Sequence, residues 1–343
     1  MKNYQSLPTT EVICPICHSE FGKVLWSVNS SQAAQHYVLK EVDPQRFLKL
    51  TSHIEHLWKQ KTCDVVQCNN CSFCYSNPYI AGDDKFYALA YERTGYPTWK
   101  WEHQLTYETL LHEDSKDLKL LEIGAGDGAF IKRITPNLTS TQNLVCTEFS
   151  DYGRNQIQNY GIKCFSQDIR EIKDKTLEGY FNVVCMFQVI EHMDRLESLF
   201  ETLNCLTQPD ANLFLSVPNL KHIEFSELNG GLMDMPPNHI GRWNRKCFEI
   251  IGKRWGWQID RFEIEKTDLI SKALLFYKYR FWRTSQQSGT FANQIVQIKN
   301  SYLSKIMRLL GTGFYSLTDL RLLKLLNSED LGLSQWIHMK KIS

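Results

Sequence analysis

The stretch Leu120-Leu121-Glu122-Ile123-Gly124-Ala125-Gly126-Asp127-Gly128 decides the fold. An apolar run of strand character enters three glycines at alternate positions, and an amphipathic stretch at 129–134 follows. Glycine lets a backbone turn sharply and approach a ligand closely, so the pattern predicts a strand, a tight turn and a helix. Alone it admits three readings. Gly124-x-Gly126-x-x-Ala129 also satisfies a dinucleotide fingerprint, and a glycine turn can hold no ligand at all.

Outward from the loop, short apolar runs alternate with amphipathic stretches. Residues 118–123, 143–147, 163–165, 181–187, 212–217 and 258–264 read as strands. Residues 152–159, 196–206 and 245–255 read as helices between them. That alternation predicts an α/β fold with a mainly parallel sheet covered on both faces. A lead-in helix is expected over 99–112, and a final strand over 333–342. Glu148 closes the second strand, where a carboxylate can hold two ribose hydroxyls. Asp168 and Ile169 follow the third, at a place suited to an adenine amino group. Phe187-Gln188-Val189-Ile190-Glu191-His192 ends the fourth.

The run E-x-G-x-G-x-G, the second-strand acid, the third-strand Asp and Q-V-I-E-H resemble the class I S-adenosylmethionine (SAM)-dependent methyltransferases. The resemblance spans about 117–265 and the last strand. It implies a Rossmann-like sheet of seven strands, the last antiparallel, with SAM as cofactor. Gly124, Gly126 and Gly128 would pass the methionine part, and Glu122 would face its ammonium or organise the loop. Glu148 would hold the ribose, Asp168 and Ile169 the adenine, and Phe187 and Gln188 the sulfonium side.

Eleven cysteines in 343 residues are spread unevenly. Cys14-Pro-Ile-Cys17 and Cys68-Asn-Asn-Cys71 have knuckle spacing, in which one tight turn aims two sulfurs at one ion. Two such turns make a tetrahedral structural zinc site. A redox C-x-x-C is the competing reading. The segment between the knuckles, rich in helix formers from Pro44 to Lys61, reads as an insertion. Cys63 and Cys74 read as small buried hydrophobes, and Cys146, Cys164, Cys185, Cys205 and Cys247 as inert core. The order C-P-x-C, C-x-x-C-x-F-x-Y-x-N-P, methyltransferase core, then Pro236-Pro237-Asn238-His239-Ile240-Gly241-Arg242-Trp243 resembles a bacterial subgroup with an N-terminal zinc-binding module. Its members are often tied to sugar, surface-polysaccharide or natural-product pathways. Ser72 departs from its usual Gly, and the inter-knuckle insert is long.

The divisions expected are a zinc-binding module over 1–80, a linker and lead-in helix over 81–116, and the methyltransferase domain over 117–343. A helical insert over 268–326 interrupts the last. It is read as a cap or homodimer face, a substrate lid, or a peripheral contact with an anionic membrane surface. His239 and His192 are candidate general bases for a hydroxyl acceptor, and the Glu191–His192 pair can instead orient a loop. Gln188, Glu191, His192 and His239 also resemble the E-x-x-E-H plus His cation site of small-RNA 3′-end and some quinone-pathway O-methyltransferases, with Gln188 in place of Glu.

The 39 Lys and Arg nearly balance 38 Asp and Glu, so no DNA is expected as partner. The N-terminus shows no apolar secretory core, which leads to the expectation of a soluble cytoplasmic protein. The expected function is methyl transfer to a small-molecule or glycan acceptor. The alternatives are an RNA or protein methyltransferase, and a non-catalytic SAM-binding subunit.

Overall fold

The computed structural model describes residues 9–40, 42–91, 98–112, 118–228, 234–285, 287, 289–298, 301–316 and 331–342. The chain divides into two compact units. The first takes in everything up to Pro218, together with Met235–Glu263 and Ser334–Ser343; the second is Asn219–Asp234 with Ile264–Leu333.

In the first unit, β1 (Thr9–Glu11) and β2 (Phe21–Asn29) precede α1 (Ser30–Tyr37) and α2 (Pro44–Trp58). Then come β3 (Thr62–Cys68), β4 (Cys74–Asn77), α3 (Asp84–Ala90) and α4 (Trp101–His112). Between the knuckles, therefore, the chain folds as strand, two helices and strand. Asn29 and Gln32 close a capping box on α1, and Asp43 caps α2 with Pro44 in its first turn. Phe47, Leu50, Ile54 and Trp58 of α2 form a buried cluster with Ala33, Ala34, Cys63 and Phe86. Cys63 and Cys74 are buried, as expected of small hydrophobes.

The central elements follow as β5 (Leu120–Ile123), α5 (Ala129–Leu138), β6 (Leu144–Thr147), α6 (Asp151–Gln158) and β7 (Lys163–Phe165). Next are β8 (Phe181–Phe187), α7 (Leu196–Leu206) and β9 (Thr207–Pro218). After α8 (Leu220–Leu228) of the second unit come β10 (Gly241–Arg242), α9 (Arg245–Trp255) and β11 (Trp257–Ile264). The second unit continues with α10 (Leu269–Ser285), α11 (Phe291–Val296) and α12 (Ser301–Ser316), and β12 (Ser334–Lys341) returns to the first.

Seven strands form one mixed sheet in the order β11-β12-β9-β8-β5-β6-β7. β8 and β6 flank β5 in parallel, β7 and β9 extend the parallel set, and β12 runs antiparallel to β9. This is a Rossmann-like α/β sheet with its last strand antiparallel. Its strands are apolar runs buried on both faces, as a parallel sheet between helix layers requires. One expectation fails here. Cys205 is exposed, because α7 buries the stripe Leu196, Leu199, Phe200, Leu203 and Leu206, and Cys205 lies off it.

A second sheet has the order β1-β2-β3-β4-β10 and is antiparallel throughout. Its last strand comes from beyond β9. Gly241 pairs with Tyr75 and Arg242 with Cys74, so the sheet that carries the cysteines is closed by the segment after His239. Trp243 packs edge-on against Phe73 at 5.0 Å and stacks on Phe248 of α9 at 4.8 Å.

In the second unit, Phe225 of α8 clusters with Leu331, Leu275 and Tyr277, while Phe281, Ala292, Ile295 and Met307 tie α10, α11 and α12 together. Of the expected divisions, 1–8, 92–97, 113–117 and 317–326 lie outside the described residues. Among the described residues no helix is long and apolar enough to cross a membrane.

Candidate active site and cysteine cluster

The carboxyl ends of the parallel strands are where open α/β sheets place ligands. At the end of β5, Gly124, Gly126 and Gly128 all take left-handed φ values, of 71°, 59° and 81°. A Cβ on Gly124 would meet Val189 at 2.6 Å, and one on Gly128 would meet Ile157 at 2.8 Å. The loop is drawn onto the next strand by the Gly124 and Ala125 amides, which both donate to the Thr147 carbonyl. Glu148, just past β6, accepts from the Gly126 amide at 2.9 Å and from the Ser150 amide at 2.8 Å. Its carboxylate is thereby fixed against the glycine loop. Gly153 on α6 completes the contact, since a Cβ there would stand 2.3 Å from the Gly126 carbonyl oxygen.

Glu122 is 3% exposed, and its Oε2 has no hydrogen-bond partner among the described residues. Burial, reinforced by the nearby Glu148 and Asp127 carboxylates, pushes its pKa up to about 8. A buried carboxyl with an unsatisfied oxygen behind a glycine loop suits a ligand ammonium. Asp168 is held bidentately by Arg170, with Nε at 2.8 Å and an Nη at 2.5 Å, and Arg170 also reaches Asp194. Burial pushes the Asp168 carboxyl up, but the guanidinium outweighs it and holds the group below its usual range. Ile169 is buried, with its side chain in the main core cluster.

Phe187 is walled in by His103 at 4.8 Å and Phe130 at 5.0 Å between ring centres. Gln188 has a left-handed φ of 57°, which costs a non-glycine residue about 1–2 kcal/mol. Its side-chain nitrogen donates to Ser334 Oγ at 3.1 Å, Glu102 Oε1 at 3.3 Å and Ser216 Oγ at 3.4 Å. Glu102 is 2% exposed. The amide of Gln188 is thus committed to a buried network from α4, β9 and β12 that sequence reading missed. Glu102 lies far from Gln188 in the chain with no local pattern around it, while Gly153, set in the first turn of a helix, was a readable signal.

Glu191, His192 and His239 come together. One candidate ligand atom from each lies within 4.8 Å of the others, and the two imidazole rings are 4.6 Å apart. His192 Nδ1 lies 2.7 Å from the Asn238 carbonyl, which can only accept. Nδ1 therefore carries the proton in the neutral ring, and Nε2 keeps its lone pair. Tyr87 approaches the same nitrogen at 3.2 Å. The same triple has the donor chemistry of a divalent-cation site.

The four knuckle cysteines also converge. Cys14 and Cys71 sulfurs are 3.6 Å apart, Cys17 and Cys68 sulfurs 3.5 Å, and all four lie within 4.8 Å of one another. A disulfide would need about 2.05 Å. Tetrahedral thiolates around zinc at ~2.3 Å stand about 3.8 Å apart, so the set fits that ion. Burial pushes the Cys68 thiol up, but the Cys71 and Asn70 amides outweigh it and bring the group to about 7. Each knuckle is followed by a left-handed residue, His18 with φ 58° and Ser72 with φ 63°, which accounts for a glycine being usual at the second. The Cys68–Cys71 knuckle is held by α9, through Lys246 to the Asn70 carbonyl and Asn244 to the Ser72 carbonyl.

No match is found among curated proteins. Solved structures that the chain is similar to include a SAM dependent methyltransferase from Archaeoglobus fulgidus, 15% identical over 70% of this chain and 94% of its own, with a TM-score of 0.44. An S-adenosylmethionine dependent methyltransferase from Mesorhizobium loti is 9% identical over 70% and 98%, with a TM-score of 0.41. Phosphoethanolamine N-methyltransferase 2 from Haemonchus contortus, solved with S-adenosyl-L-methionine, is 13% identical over 73% and 55%, with a TM-score of 0.41. Residues 100–261, which carry the glycine loop, Glu148, Asp168 and the Glu191–His192–His239 group, match the family model for a methyltransferase domain.

Proposed function

We propose that the protein moves the methyl group of SAM to a hydroxyl oxygen of a small-molecule acceptor, a sugar or glycan intermediate of surface-polysaccharide or secondary metabolism. The observation that carries this reading is the pairing of His192 and His239 beyond β8, at the same end of the sheet as the glycine loop. SAM bound at the loop supplies a methyl carbon activated by a sulfonium. Glu122 offers its carboxyl to the ligand's ammonium, and Glu148 stands at the ribose position. His192, with Nδ1–H spent on Asn238, receives the acceptor's hydroxyl proton at Nε2 as the oxygen–carbon bond forms and the sulfur–carbon bond breaks. His239 holds that hydroxyl against it, and the products are a methyl ether and neutral S-adenosylhomocysteine. The sugar class rests on the resemblance of the two knuckles and the P-P-N-H-I-G-R-W segment to the bacterial subgroup described above. Cys14, Cys17, Cys68 and Cys71 would hold a structural zinc ion.

Calorimetric titration with SAM, followed by transfer of labelled methyl to a panel of nucleotide sugars, tests the reading. Heat of binding and a methyl ether in the product are expected. No binding at millimolar SAM refutes cofactor use, while methyl found on nitrogen or carbon refutes the hydroxyl acceptor.

A further inference from the structure

The second unit carries a surface that the methyl-transfer reading leaves unused. On α12, the apolar residues Tyr302, Leu303, Ile306, Leu309 and Leu310 fall at i, i+1, i+4, i+7 and i+8. That spacing places them in one sector of about 120° of the helix. Such a stripe ordinarily faces a core. Here all five are exposed, with Tyr302 at 75%, Leu309 at 74% and Leu310 at 60%. The packing edge of α12 is a different one. Met307 joins the cluster of Phe281, Ala292 and Ile295, and a Cβ on Gly311 would meet Phe281 at 2.9 Å and Ile295 at 3.0 Å. Lys305 and Arg308 are both exposed, Lys305 about 40° beyond the edge of the apolar sector and Arg308 about 100° beyond it.

The charge pattern says what covers this face. Between Asp268 and Asp319 there is no acidic residue, and seven Lys and Arg stand in that interval. The whole chain carries only +1, so the segment is strongly cationic while the remainder is net acidic. Leu269, Ile270 and Leu274 at the start of α10 add further exposed apolar side chains. An exposed apolar sector bordered by Lys305, with Arg308 on the polar face and no acid on the helix, is the pattern of a helix lying in the headgroup region of an anionic bilayer. A second copy of the same segment would instead set like charges against each other.

We propose that the second unit docks on anionic lipid bilayers through the apolar face of α12, with its basic residues at the phosphate level. The surface is independent of the methyl-transfer chemistry and stands whether or not that reading holds.

The test is co-sedimentation of the full-length protein with vesicles of phosphatidylcholine alone and of phosphatidylcholine with about one-third phosphatidylglycerol. Binding to the anionic vesicles, weakened by high salt, is expected. The double variant L309E/L310E changes only exposed positions, so folding is retained, and SAM binding checks this. Its partition onto anionic vesicles is expected to fall about tenfold or more. Lys305→Glu with Arg308→Glu should lower binding to anionic vesicles selectively. No wild-type binding, equal binding to both vesicle types, or a wild-type dimer that L309E/L310E dissociates without any vesicle binding each overturn the proposal.

Discussion

Glu122→Gln is the perturbation that reports most directly on the glycine loop. Glu122 is raised from an unfolded value near 4.5 to about 8 by burial, so protonation favours the native state. Its contribution to stability is fully present below the unfolded value and is lost as pH rises through about 8. Each pH unit climbed between those two values costs about 1.4 kcal/mol, so the wild type should lose ~2.5 kcal/mol between pH 5 and pH 7 from this group alone. Glutamine keeps the shape and has no such loss. Urea denaturation of both proteins at pH 5, 6 and 7 reads the difference, and the gap should widen steadily in favour of the variant. Parallel stabilities across that range would refute the burial argument. The same experiment has a binding arm. A cationic ligand favours the carboxylate, so wild-type SAM affinity should rise with pH toward 8 by up to about tenfold per unit relative to the variant.

Further outcomes follow from the same geometry. Gly153→Ala drives a methyl into the Gly126 carbonyl and should weaken SAM binding about tenfold or more by calorimetry while leaving the fold intact. His192→Gln and His239→Gln should each lower kcat about 100-fold or more with SAM affinity unchanged. Cys71→Ser should abolish bound zinc in elemental analysis and lower the unfolding temperature, whereas a protein that never contained zinc would sink the cluster's assignment. Ser72→Gly relieves a left-handed serine and should raise stability by about 1 kcal/mol in denaturant titration.

What was readable in the sequence is what local chemistry dictates. The glycine turn and the alternating strands and helices are set by residues within a few positions of one another, and that strand, turn and helix order appears in the structure. The cysteine knuckles were likewise legible from spacing, and their sulfurs do converge. The strands joining the knuckles were not. β2 carries a bulge between Val24 and Trp26 that breaks the period-two alternation by which strands are recognised. β10 is two residues long, too short to leave any pattern. Glu102, Ser216 and Ser334 reach Gln188 from three separate elements, and nothing local to any of them announces the meeting. The helix α3, inside the expected linker, starts from an Asp83 cap that also binds the buried His53, a pairing visible only once both are folded.

The pairing of Gly241 with Tyr75 bears on how the protein is made. A chain leaving the ribosome exposes β1 to β4 long before β10 has been synthesised, so the cysteine-bearing sheet waits with an open edge along β4. It can be completed only after β5 to β9 are available, because β10 is delivered from the far end of β9. The strands β1 to β4 are therefore among the last elements of the chain to reach their final state. A mutation that slows assembly of the parallel sheet should leave the edge of β4 unpaired, the feature on which nascent chains aggregate.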